Sequence, residues 1–257
     1  MTDQIESLMA EIAQPSPKFG KHVHGMLNGL REAPYDREDV LQFMAFAMGM
    51  ANRSKAQLFQ DLWALWMSGQ KRGGYFVEFG AGDGVYLSNT LMLERDMGWS
   101  GILAEPNPRF MPSLQQERRC QISDKCVYSE SGQTLEFLNA KIGELSRLAG
   151  VNPEDAHEAR RLKGAQSLNV ETISLNDLLL NEKAPRSIDF MSVDTEGSEF
   201  EILSAFDFDR WDVATIAVEH NYTDTRERIH ELLTGNRYRQ SWPHLSRFDD
   251  WYVRVSG

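Results

Sequence analysis

Apolar positions in the first 70 residues recur with a helical period. Gln4 to Ala13 predicts one short helix stopped by Pro15 and Pro17, and the Met-, Phe- and Ala-rich stretch 40–51 predicts a second that packs as a buried element. Leu58, Leu62, Leu65 and Trp66 mark a third amphipathic face, closed by the glycine-rich, basic hinge Gly69 to Gly74. From Tyr75 onward the pattern changes to short apolar runs separated by amphipathic stretches. Strands are predicted at Tyr75 to Phe79, Ile102 to Ala104, 120–128, Ile188 to Asp194 and Val213 to His220, with a hairpin or an extended segment at 168–175. Between them lie helical patterns at Val85 to Met97, Pro108 to Arg118, Leu175 to Leu180, Ser198 to Phe206 and Thr225 to Leu233. Tyr238 to Ser241 and Trp251 to Val255 then complete the sheet as a terminal strand pair.

Alternating strands and helices predict an α/β fold with a mostly parallel sheet covered on both faces. The domain reading is a helical region over 1–72, acting as a lid or an oligomer interface, followed by an α/β domain over 73–257. Within that domain, the polar and charged stretch at about 139–165 reads as a helical insertion able to cover an active cleft.

Composition narrows the partners. Thirty-eight acidic residues stand against 27 basic ones, a net charge of −11, and no Lys/Arg stripe is interleaved with aromatics, so nucleic acid is a poor candidate. The clusters Arg118-Arg119 and Arg160-Arg161 read as solvated faces. The N-terminus lacks a basic start and an apolar run, and no segment reaches membrane-spanning length. Cys120 and Cys126 read as free thiols, and a cytoplasmic setting is expected.

The chemistry concentrates at the predicted strand ends, where open sheets of this type gather ligands. After Tyr75 to Phe79, Gly80, Gly82 and Gly84 occupy every second position, a turn that lets backbone approach a nucleoside closely. Glu78 and Asp83 place carboxylates beside that turn, which suits a cationic or hydroxyl-rich partner and would repel a pyrophosphate. Glu105, about 20 residues further on, is placed to accept hydrogen bonds from ribose hydroxyls. Asp194 and the tip Glu219-His220-Asn221 form an oxygen-rich set able to hold Mg²⁺ or Mn²⁺. His220 is alternatively a general base, while Glu196 and Glu199 either serve the site or charge the start of the next helix.

Four segments together resemble the FkbM family of S-adenosylmethionine-dependent methyltransferases: Phe76 to Thr90, Gly101 to Pro108, Ile188 to Glu199 and the late Asp250-Trp-Tyr-Val. The resemblance runs from about 73 to 255 and implies a class I, Rossmann-like domain with a seven-stranded sheet, transferring a methyl group to a hydroxyl of a sugar or glycosylated metabolite. It implies that Glu78, Gly80, Ala81, Gly82 and Asp83 surround the methionine part, that Glu105 binds the ribose, that Asn107 borders the nucleoside and that Asp124 lies near the adenine. A further likeness, to metal-dependent small-molecule O-methyltransferases, implies Asp194, Glu219 and Asn221 as metal ligands. Their lysine base has no counterpart in Asp194-Thr-Glu-Gly, which leaves His220, Glu196 or the metal itself to activate the acceptor. Two other readings stay open: a non-catalytic S-adenosylmethionine-binding partner subunit, and a nicotinamide-dependent oxidoreductase. The second is weakened because the third glycine comes one residue too early.

Overall fold

The computed structural model describes residues 37–140, 143, 146–150 and 165–255. The helix expected at Gln4 to Ala13, most of the stretch expected as a helical insertion, and the Arg160-Arg161 cluster lie outside them. Two helices come first, α1 (Arg37–Met50) and α2 (Gln60–Met67). The α/β part follows as β1 (Tyr75–Phe79), α3 (Leu91–Met97), β2 (Ser100–Ala104), α4 (Met111–Glu117), β3 (Gln121–Ser123) and β4 (Cys126–Tyr128). Next come β5 (Thr134–Asn139), β6 (Arg147–Leu148), β7 (Gln166–Ser174), α5 (Leu175–Asn181), β8 (Ser187–Val193) and α6 (Glu199–Ser204). The last elements are β9 (Asp212–Glu219), α7 (Thr225–Gly235), β10 (Tyr238–Ser241), α8 (Pro243–Ser246) and β11 (Asp249–Arg254).

Seven strands form one twisted sheet in the order β10-β11-β9-β8-β1-β2-β3. All pairs from β9 to β3 are parallel, and β11 runs antiparallel to both its neighbours. Because side chains alternate along a strand, each strand feeds two cores. Phe76 of β1 joins Leu103, Phe190 and Trp251 on the face covered by Phe43, Leu62 and Trp63 from α1 and α2. Val77 and Phe79 face the opposite core with Ile202, Leu203, Ile229 and Leu233 from α6 and α7. The indoles of Trp63 and Trp251 stack at 5.1 Å, which ties α2 directly to the sheet.

Three expectations differ from the structure. The stretch from Val85 is not yet helical; α3 starts only at Leu91, because Leu87 takes φ 61 and the Glu78 carboxylate captures the Asn89 N–H at 2.8 Å. Residues 120–128 are two strands, not one: β3 pairs with β2, while β4 turns away to pair with β7. The segment 134–174 contributes β5, β6 and β7, which with β4 make a separate sheet in the order β4-β7-β5-β6. The two cysteines are free thiols. Among the described residues, no helix is long and apolar enough to cross a membrane.

Candidate active site

The register of the sheet makes the site. Phe79 aligns with Ala104 on one side and Val193 on the other, and Val193 aligns with Val218. One residue beyond each aligned strand end lie Glu105, Gly80, Asp194 and Glu219, with Asp249 paired opposite Glu219. Glu105, Gly80, Asp194 and Glu219 line a cavity of about 400 Å³, a size suited to a small-molecule or cofactor ligand.

At the centre is the glycine turn. Gly80 has φ +76, and a Cβ there would fall 1.6 Å from the Asp194 carbonyl oxygen, so only glycine lets β1 and β8 close up at this point. Gly82, also left-handed, lines the cavity, and a Cβ there would meet no atom within 4 Å. The turn is held from below by Glu78, which is buried and accepts from the Asn89 N–H at 2.8 Å, from Ser88 Oγ at 3.2 Å and from Thr90 Oγ1. Arg118 completes this hub. Its guanidinium lies 3.8 Å from Glu78 and 2.9 Å from Glu94, and it donates to the Gly84 carbonyl, Ser88 Oγ and Thr90 Oγ1. The expectation of a solvated face at Arg118-Arg119 is therefore corrected at Arg118, whose side chain has no exposed surface. A buried arginine needs buried acids, and both of them lie far upstream in the chain, beyond any local pattern.

Glu105 sits at the end of β2 with its carboxylate already aimed. Oε2 accepts from the Gly82 N–H and Oε1 from the Asn107 N–H, both at 2.8 Å. The two backbone donors fix its pose at the cavity, which it lines. Beyond it the wall becomes apolar: Phe110, Val127, Phe137 and Leu148 bring together α4, β4, β5 and β6. The thiol of Cys126 lines the same wall, pushed up to about 12 by burial and by the Glu105 charge, hence a neutral, soft surface at neutral pH.

On the other side of the turn the acids converge. Ligand oxygens of Asp194, Glu196 and Glu219 lie within 4.8 Å of one another. Burial pushes the carboxyls of Asp194 and Glu219 upward, and Glu219 is raised further by the charges of Asp194, Glu196 and Asp249. Three carboxyls this close repel one another when all are ionised, which favours retention of a proton among them. A divalent cation would replace that proton without the crowding of like charge. Glu196 reaches the cluster from a left-handed backbone, φ 59, inside a turn braced by Glu199, whose Oε1 accepts from Thr195 N and Oγ1 at 2.9 Å and Gly197 N at 3.0 Å. The two acids thus have separate roles: Glu199 builds the turn and Glu196 faces the cavity.

Not every residue singled out in the sequence reaches this space. Asp83 does not line it; its Oδ1 caps the loop, accepting from Val85 N and Tyr86 N at 2.8 and 2.7 Å. Asn107 is fully buried and donates from its amide to Asn139 Oδ1 at 3.0 Å, joining the two sheets behind Glu105. Asp124 is exposed at the break between β3 and β4, and Cys126 and Val127 take the place on the wall. His220, the first residue after β9, is buried and does not line the cavity, while Asn221 lines it from a left-handed backbone with φ 45. The His220 Nδ1 accepts from Tyr222 N at 3.0 Å, and its Nε2 lies 3.6 Å from Asp250. Burial holds this imidazole below its ordinary value, against the raising effect of Asp250. Ser88, Asn89, Ser192 and Phe248 also line the cavity, and nothing in the sequence points to them, since single polar or aromatic residues of these types carry no spacing signal.

A profile of the family described as "Methyltransferase FkbM domain" matches residues 78–251. No curated protein matches the chain. Among solved structures, the chain is similar to the precorrin-6Y C5,15-methyltransferase of Geobacter metallireducens GS-15, at 13% identity over 70% of this chain and 71% of that one, with a TM-score of 0.40.

Proposed function

Since the chain belongs to the FkbM methyltransferase family, we propose that its cavity binds S-adenosyl-L-methionine and that the acceptor is a hydroxyl of a sugar or glycosylated metabolite. The observation that carries the cofactor reading is Glu105, buried and aimed by the Gly82 N–H next to a turn that only glycine can make. Such a carboxylate suits the two hydroxyls of a ribose. The apolar wall of Phe110, Val127 and Phe137 suits an adenine, and the carboxylate-rich floor suits a sulfonium better than a pyrophosphate.

When bound, S-adenosylmethionine supplies an electrophilic methyl group. The protein must then hold an acceptor oxygen in line and take its proton. Asp194, Glu196 and Glu219, with Asn221 beside them, form the donor set for that task. They would hold Mg²⁺ or Mn²⁺, which would lower the pKa of an acceptor hydroxyl at the cluster. Glu196, which lines the cavity where His220 does not, is the carboxylate we assign to receive the proton. Tyr86, half exposed at the cavity rim, offers a flat aromatic edge to a sugar ring.

The test is methyl transfer from labelled S-adenosylmethionine to a panel of sugar and glycoside acceptors, with Mg²⁺ or Mn²⁺ and again with chelator. The expected result is transfer that falls about 100-fold or more in Glu196→Gln, within the usual range for losing a general base. Undiminished transfer in Asp194→Asn and Glu219→Gln, or in chelator, would remove the metal. Cofactor binding without transfer to any acceptor would favour a non-catalytic partner subunit.

A further inference from the structure

One residue of the cavity wall comes from outside the shared domain. Gln57 lines the cavity, although the methyltransferase profile begins only at residue 78. It sits in the segment 54–60 that leads into α2, and that segment is pinned on both sides of it. Ala56 forms a parallel bridge with Leu87, beyond the glycine turn. Gln60 Nε2 donates to Asp249 Oδ2 at 2.7 Å, and Gln60 Oε1 accepts from Leu58 N at 2.8 Å. The amide of Gln60 is thus spent on the fold. That of Gln57 is not: the residue is half-buried, and among the described residues its carboxamide has no hydrogen-bond partner. A fixed backbone therefore presents an unused donor and acceptor at the cavity.

The two anchors say what it faces. Leu87 belongs to the loop after β1, and Asp249 is the register partner of Glu219 at the start of β11. Both anchors border the cavity, since Tyr86 and Leu87 line it beside the first and Phe248 beside the second. Glu105 and the apolar wall come from β2, α4, β4 and β5, whereas β8, β9 and β11 lie on the other side of β1 in the sheet. Gln57 is therefore tied to the half of the site that holds Asp194, Glu196 and Glu219, where an acceptor has to lie. Three carboxyls there disfavour an anionic acceptor. A neutral carboxamide can both donate to a hydroxyl and accept from one.

We propose that Gln57 is an acceptor-specificity residue, whose carboxamide hydrogen-bonds a hydroxyl of a neutral sugar acceptor other than the hydroxyl that is methylated. The inference rests on the acceptor reading above and deepens it. It gives the helical segment that precedes the α/β domain a part in choosing the substrate, with Gln60 as the positioning residue that ties Gln57 to the acid side.

Methyl transfer from labelled S-adenosylmethionine to the methyl glycosides of glucose, galactose, mannose and rhamnose tests it, followed by the monodeoxy analogues of whichever glycoside is methylated. Gln57→Ala should lower kcat/KM for that glycoside about 5- to 100-fold, as the loss of two neutral hydrogen bonds would. The KM for S-adenosylmethionine should stay within about two-fold, and the melting temperature within about 2 °C, because no side-chain bond of the protein is lost. In the wild type, removing one hydroxyl other than the methylated one should cost a similar factor, and in Gln57→Ala that cost should vanish. An unchanged kcat/KM in the variant, a deoxy cost that survives it, an equal rise in the KM for S-adenosylmethionine, or a larger fall in melting temperature overturns the inference and leaves the acceptor reading standing. Transfer to none of the glycosides, by wild-type protein that binds S-adenosylmethionine, overturns the acceptor reading, and this inference falls with it.

Discussion

Replacing Arg118 by methionine should loosen the whole floor of the glycine turn. The side chain has no exposed surface, lies 2.9 Å from Glu94 and 3.8 Å from Glu78, and donates to three oxygens of the 84–90 loop. Methionine approaches its length and fills part of its place beside Phe76 without serving either acid. Two buried carboxylates are then left with no cation, and removal of one partner of a buried ion pair costs about 3–5 kcal/mol. For a domain of this size that corresponds to a fall in melting temperature of about 6–20 °C. Thermal unfolding followed by circular dichroism measures it, with Arg119→Met as control because Arg119 is exposed and should shift by no more than about 0.5 kcal/mol. The variant should also lose nucleoside binding, since the Gly84 to Thr90 segment carries part of the cavity wall. A melting temperature within about 2 °C of wild type, the shift expected for less than about 1 kcal/mol, would refute the hub.

Other outcomes follow from the same structure. Gly80→Ala should fail to fold or lose several degrees of melting temperature, because its Cβ would meet the Asp194 backbone at 1.6 Å; thermal unfolding decides it. Glu199→Ala removes the acceptor of two backbone N–H groups and a hydroxyl, and should cost about 1–3 kcal/mol by chemical denaturation. Asp61 and Asp249 are pushed up to about 7 by burial, most of all, partly offset by hydrogen bonds from Ser54 to Asp61 and Gln60 to Asp249. Their native forms bind protons that the unfolded chain, ionising near 3.8, has released. Stability should therefore fall as pH rises from about 4 to 7 and level off above it. Asp61→Asn cannot lose that proton, so melting curves at pH 5 and pH 8 should differ less in the variant.

Much of the α/β scaffold is legible in apolar runs, because a strand buried on both faces leaves a dense signal such as Ile188 to Val193. The glycine turn and Glu105 are legible for a different reason: a fixed spacing of residue types reflects a fixed backbone geometry. The small sheet of β4 to β7 is not legible, since β5 reads Thr-Leu-Glu-Phe-Leu-Asn, half exposed and polar, and β6 has only two residues. The stretch after Val85 misleads because its residues can form a helix, while a distant carboxylate, Glu78, competes successfully for the Asn89 N–H. Arg118 shows the same limit from the other side. Charge runs look solvated until the tertiary fold supplies their partners. At the Glu219-His220-Asn221 tip the sequence does not separate the histidine from its neighbours; β9 ends at Glu219 and the left-handed turn at Asn221 puts Glu219 and Asn221, not His220, on the cavity.

The most direct test of the cofactor site is calorimetric titration of the wild-type chain and Gly82→Trp with S-adenosylmethionine and with NAD. Gly82 lines the cavity, and a Cβ there would meet no atom within 4 Å. An indole should therefore fill the site while the fold persists, at the cost of about 1–2 kcal/mol for the left-handed backbone. Wild-type protein should bind S-adenosylmethionine and not NAD, and Gly82→Trp, still folded by its melting curve, should bind neither. Binding of NAD alone, or S-adenosylmethionine binding that survives Gly82→Trp unchanged, would contradict the cofactor site.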